Sequence, residues 1–157
     1  MIKKLLWGAA VAAPALLADR LTKIWAAAAR PARELISGVV AVHYAENTGA
    51  AFSAFSGAAW LVTGASAALI LAVTALLAAD NKMNRWARLG LWLVVAGGMG
   101  NLYDRLAYGY VVDFIELLFI DFAIFNVADI CVCCGAVIAA AALLVQDAGG
   151  KKRTEGA

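Results

Sequence analysis

Two aspartates stand in apolar sequence with no adjacent cation to explain them. Asp113 lies in Val111-Val112-Asp113-Phe114-Ile115, and Asp129 closes Phe125-Asn126-Val127-Ala128-Asp129. Two carboxylates held close in a low dielectric cannot both ionise, so such a pair keeps one proton. It then offers a base to activate water and an acid for a leaving amine. No Ser/Lys or Cys/His arrangement competes. His43 is the only histidine, which excludes a histidine-rich metal site, and it reads as a strand surface residue. Cys131, Cys133 and Cys134 sit in an apolar run without the further ligands of a zinc set, so they read as small apolar residues.

Other polar residues gather around these two. Asp19, Thr22 and Lys23 are spaced i, i+3, i+4 and share a helix face, as do Asn101, Asp104 and Arg105. Asn126 and Asp129 are three apart. At about 1.5 Å per residue, Asp19 lies roughly 21 Å beyond Leu5 and Asp104 roughly 22 Å beyond Leu89. Asp129 lies roughly 26 Å before Gln146 on a helix running the other way. Any one cluster is explained by a helix-end ion pair; three at one level point to a functional interior. Asn101 and Asn126 are expected to hold the acids by hydrogen bonds, and Arg105 to brace helix ends by pairing with Asp104 or Asp19. Gly97, Gly98 and Gly100 permit a close approach of another helix or a substrate backbone. Asn47-Thr48-Gly49-Ala50-Ala51-Phe52 reads as a small-residue turn.

The elements that must position these groups are membrane helices. Of 157 residues, 64% are hydrophobic and 15% charged, with a mean hydropathy of +0.82. A soluble domain averages about 45–50% apolar and about 25% charged. This composition excludes a disordered chain, a disulfide scaffold and a nucleic-acid binder; the net charge of +2 gives nucleic acid no handle. The fold class is an all-α membrane protein with four transmembrane helices, at about 5–29, 58–79, 89–105 and 122–146, forming one domain. The first is read as a retained helix, not a cleaved signal. Extracytoplasmic segments fill about 30–57 and 106–121. They hold a short strand at Val39–Tyr44 and a loop or lid over the site formed by Ala107–Asp121 with Val39–Phe52. The cytoplasmic tail, about 147–157, reads as lacking fixed structure from Gly149. Basic residues at Lys3, Lys4, Lys82, Arg85, Arg88 and Lys151–Arg153 place both termini in the cytoplasm. Trp7 and Trp86 then fall near the inner interface, Trp25 and Trp60 near the outer one.

Five segments in this order resemble the signal peptidase II family, the bacterial lipoprotein signal peptidases. They are Asp19-x-x-Thr22-Lys23, Asn47-Thr48-Gly49-Ala50-Ala51-Phe52-Ser53, Gly97 through Arg105, Val111 through Ile115, and Phe125 through Asp129. The resemblance implies an aspartic endopeptidase of the bacterial inner membrane with its site toward the extracytoplasmic face. The implied substrate is a prolipoprotein already carrying diacylglycerol on its lipobox cysteine, cut just before that cysteine. Asp113 and Asp129 match the catalytic pair, and Asp19, Asn47, Asn101, Asp104, Arg105 and Asn126 match supporting positions. The resemblance implies no metal and no cofactor. Its implied partners are membrane lipid and globomycin-type cyclic peptide inhibitors, with no nucleic acid. Departures are Arg20 where the family often has Gln, Ala123 where Pro is common, and Ile130 where Ser is frequent. The alternative is a small ion- or proton-coupled transporter subunit, which usually puts its acids near the midplane of repeated halves. Here they lie at one end, and no repeat is visible.

Overall fold

The computed structural model describes the backbone of residues 2–49, 59–80 and 82–155 and the side chains of 7–49, 60–80 and 82–147. The described elements are α1 (Ile2–Ala29), β1 (Ala32–Ile36), β2 (Val40–Asn47), α2 (Ala59–Ala79), α3 (Arg85–Tyr108), β3 (Val111–Leu117) and α4 (Val127–Glu155). The protein is mostly helical, with a small antiparallel sheet of order β1-β2-β3. Trp60–Ala79 and Val127–Asp147 are long and apolar enough to cross a membrane, with mean hydropathies of 2.2 and 2.4. Only 6% and 17% of these spans are buried inside the protein, so most of their apolar side chains face outward. α1 and α3 instead carry the charged clusters.

Small residues let the helices touch backbone to backbone. Along the α3–α4 seam, a Cβ added at Gly135 would sit 2.5 Å from the carbonyl oxygen of Gly90, and one at Gly97 would strike the carbonyl of Ala128. The glycines expected to permit close approach do so toward three partners in turn. Gly97 meets α4, Gly98 meets Ile70 of α2, and Gly100 meets the Asp19 carboxylate of α1. α3 is therefore the central helix, and its exposed backbone is what draws the other three against it.

The boundaries differ from the sequence expectations where capping groups act. α3 starts at Arg85, earlier than 89, because the Asn84 side chain accepts from the Ala87 N–H at 2.8 Å. It runs past 105 to Tyr108 and stops at Gly109, whose φ of 81° places it in the left-handed region. α4 starts at Val127, not 122, because Phe125 is held extended by backbone bonds to Ile115. At its other end α4 continues to Glu155, where a tail without fixed structure was expected. No proline interrupts that stretch, and Lys151, Lys152 and Arg153 suit a helix C-terminus.

The segments between the helices at 30–57 and 106–121 form more strand than expected. The strand placed at Val39–Tyr44 extends to Asn47, and its edges are covered by β1 on one side and β3 on the other. Residues 107–121, assigned to a loop or lid, instead contribute β3, pinned along β2 from Val40↔Leu117 to Asn47↔Val111. The rest of the expected lid, 50–52, lies outside the described residues. Val112 and Phe114 of β3 pack with Ala26 of α1 in a small core beneath the sheet.

Candidate active site

The start of α4 builds the first half of the site. Asn126 is its N-cap: the side-chain oxygen accepts from the Asp129 N–H at 3.0 Å, and Asp129 Oδ2 accepts from the Asn126 N–H at 3.1 Å. This reciprocal capping box folds the Asp129 side chain back over the helix entrance. Asp129 Oδ1 remains and accepts from Asn101 Nδ2 of α3 at 2.7 Å.

β3 supplies the other half. Successive strand side chains point to opposite faces, so while Val112 enters the small core, Asp113 turns toward α4. Asp113 is 2% exposed, and its Oδ1 accepts from Asn126 Nδ2 at 2.6 Å. Its Oδ2 accepts from Asn47 Nδ2 at 3.0 Å, with Asn47 placed at the end of β2 beside β3. Every oxygen of both carboxylates thus accepts an N–H bond, and Asn126 holds both acids. Burial, followed by the negative charge of Asp129, pushes the Asp113 carboxyl up to about 6 against the opposing pull of Asn47, Asn126 and Lys23.

Behind the pair lies a cluster of four charges. Arg20 bonds Asp19 at 2.9 Å and Asp104 at 2.7 Å. Lys23 bonds the same two acids at 3.1 and 2.9 Å. Asp19 also accepts from the Ala128 N–H at 3.1 Å, so α1 and α3 are tied to the positive end of α4. Arg105 does not make the expected pair with Asp104 or Asp19; Arg20 and Lys23 occupy those acids. One residue on from Asp104, Arg105 points about 100° away around the helix. It donates to the backbone oxygen of Gly49 at 2.9 Å and to that of Asn101 at 3.4 Å.

The structure brings all eight singled-out residues, Asp19, Asn47, Asn101, Asp104, Arg105, Asp113, Asn126 and Asp129, into this region. Sequence reasoning missed Arg20 as a member. The available signal was two buried acids, Asp19 and Asp104, at one depth beside a helix carrying two cations. Of the turn at 47–52, residues 50–52 lie outside the described residues. His43 is an exposed residue of β2, with its ring 3.2 Å from Glu116. Among the described residues of the centre, four carboxylates (Asp19, Asp104, Asp113, Asp129) face three cations (Arg20, Lys23, Arg105). One negative charge is left over, and one proton held on either of the two buried carboxylates, Asp113 or Asp129, would cancel it. A pair of acids that retains one proton can polarise water and protonate a leaving group, the chemistry of an aspartic hydrolase.

Comparison with known proteins agrees with that chemistry. A family model described as Signal peptidase (SPase) II matches residues 11–145. A lipoprotein signal peptidase of Streptococcus pyogenes serotype M6 is 40% identical over 114 residues, 71% of this chain and 75% of that one. One from Clostridium acetobutylicum is 36% identical over 143 residues, covering 87% and 93%. A solved bacterial membrane enzyme superposes with a TM-score of 0.83 at 27% identity over 90% of each chain. A second does so at 0.78 and 28% identity, over 87% and 92%. With the family's pattern running through most of its length, the chain belongs to the signal peptidase II family of aspartic-type proteases.

Proposed function

We propose that the chain removes signal peptides from diacylglyceryl-modified prolipoproteins, cutting just before the lipidated cysteine, with Asp113 and Asp129 as catalytic dyad. The observation that carries this reading is Asn126, which bonds one carboxylate through its side chain and the other through its backbone. A water between the acids loses a proton to Asp129 as its oxygen attacks the scissile carbonyl. Asp113, the more deeply buried acid, gives its proton to the carbonyl oxygen. Collapse of the diol returns a proton to Asp113, while Asp129 protonates the leaving amine as the C–N bond breaks. Asp19, Asn47, Asn101, Asp104, Arg105 and Asn126 support the pair.

All four helices cross the bacterial inner membrane in this reading, with both termini cytoplasmic and the sheet and dyad extracytoplasmic. The two outward-facing apolar spans and the basic residues at one end support that orientation. The substrate's acyl chains stay in lipid and hold the cysteine at dyad depth. Globomycin-type cyclic peptides compete for the same place.

The test is cleavage of lipidated and non-lipidated lipobox peptides by the purified chain in detergent. Hydrolysis of the lipidated peptide alone, before its cysteine, is expected. Ion flux in vesicles with neither peptide cut would replace the protease with the transporter reading. The acidity of Asp113 adds a pH dependence. Activity that needs the shared proton falls as pH rises through about 6 in the free enzyme. The Asn47 donor favours the ionised form, so Asn47→Ala moves this alkaline limb of kcat/KM to higher pH. A limb that stays put or moves down would detach Asn47 from Asp113.

A further inference from the structure

Lys23 is buried at 2% exposure, and the two ion pairs it makes do not exhaust its contacts. Its Nζ also lies 2.7 Å from Asn101 Oδ1. An ammonium has only protons to give, so the atom of Asn101 that it touches must be the carbonyl oxygen. The amide nitrogen then has one direction left, and it donates to Asp129 Oδ1 at 2.7 Å. Asn126 Nδ2 also reaches that carbonyl oxygen, at 3.2 Å, but its two protons are divided among three acceptors, the others being Asp113 Oδ1 at 2.6 Å and the Val112 backbone oxygen at 3.3 Å. An asparagine amide is nearly symmetric in shape, and only its partners decide which end faces where.

We infer that Lys23 is a positioning residue for the proteolytic reaction: it fixes the amide of Asn101 so that Asp129 always meets a donor. Were the amide reversed, its oxygen would face Asp129 Oδ1, and the two acceptors would tolerate each other only with a proton between them. The shared proton would then be drawn to Asp129, away from its place on Asp113. Lys23 thereby acts on proton placement through Asn101 without touching the substrate. The inference rests on the dyad proposed above. The charged groups around Asn101 and the dyad are Asp19, Arg20 and Lys23 from α1, Asp104 and Arg105 from α3, Asp113 from β3 and Asp129 from α4.

The test compares Lys23→Gln, which keeps an N–H donor without charge, with Lys23→Met, which keeps length and loses the donor. Both remove the positive charge, so any shift they share is electrostatic, and the difference between them reports orientation. The expected result is a kcat at least about 10-fold higher for Gln than for Met, with KM alike and a displaced pH limb in Met alone after the shared shift is subtracted. Equal kcat and equal pH profiles would overturn the inference. If neither variant folds, the wild-type chain answers the question through its asparagine side chains labelled with nitrogen-15. The Asn101 NH2 resonances should move as the dyad titrates and should exchange slowly with solvent; signals indifferent to that titration would also overturn it. Activity retained by Asp113→Asn or Asp129→Asn would instead remove the dyad itself, so the two failures are distinguishable.

Discussion

Asp113→Asn and Asp129→Asn are each expected to lower single-turnover cleavage of a lipidated peptide by about 10³-fold or more. Each substitution leaves a side chain that can neither hold the shared proton nor accept one from water. The protein should still insert at normal abundance, because an amide in place of either acid leaves three carboxylates facing three cations, the balance that the retained proton otherwise supplies. Asn126 can keep capping α4 in the Asp113 variant, since its capping bond uses Oδ1 and not the nitrogen. Combining the two substitutions should cost little more than one alone, as for residues that act as a unit. Ordinary cleavage by either single variant would take that residue out of the mechanism.

The second large effect falls on stability. Asp104 is fully buried and accepts from Arg20 at 2.7 Å, Lys23 at 2.9 Å and the Val112 N–H at 3.4 Å. Asp104→Ala leaves two cations, the partly exposed Arg20 and the buried Lys23, sharing one acid. Removing one partner of a buried ion pair typically costs about 3–5 kcal/mol. Thermal denaturation in detergent should therefore show a large loss, whereas His43→Ala, which breaks an exposed pair with Glu116, should lose at most about 1 kcal/mol. Similar midpoints for the two variants would mean that Arg20 and Lys23 are not held by Asp104.

The acids and their amide partners were legible because a polar residue in an apolar run has few structural excuses. Asp113 and Asp129 stood out for want of a neighbouring cation, and Asn101 and Asn126 through their spacing from Asp104 and Asp129. The partner of each charge was not legible in the same way. Which of Arg20, Lys23 and Arg105 meets Asp104 depends on how α1 and α3 are turned toward each other, and the glycines of α3 decide that through contacts remote in sequence. β1 and β3 escaped for a related reason: β1 is five exposed residues with no alternation of burial, and β3 becomes a strand only beside β2. The start of α4 could have been found. Asn126 and Asp129 have the three-residue spacing of a capping box, but the apolar stretch before them hid the boundary.

That box has a consequence for resistance to inhibitors. On the proposed reading, a compound that engages Asp113 and Asp129 meets the atoms that begin α4 and fasten it to β3. A substitution at Asn126 or Asp129 that loosened such a compound would also remove a bond that caps the start of α4 or holds a neighbouring side chain of the pair. Escape from such a compound is then expected at residues around the pair and not at the pair or its cap.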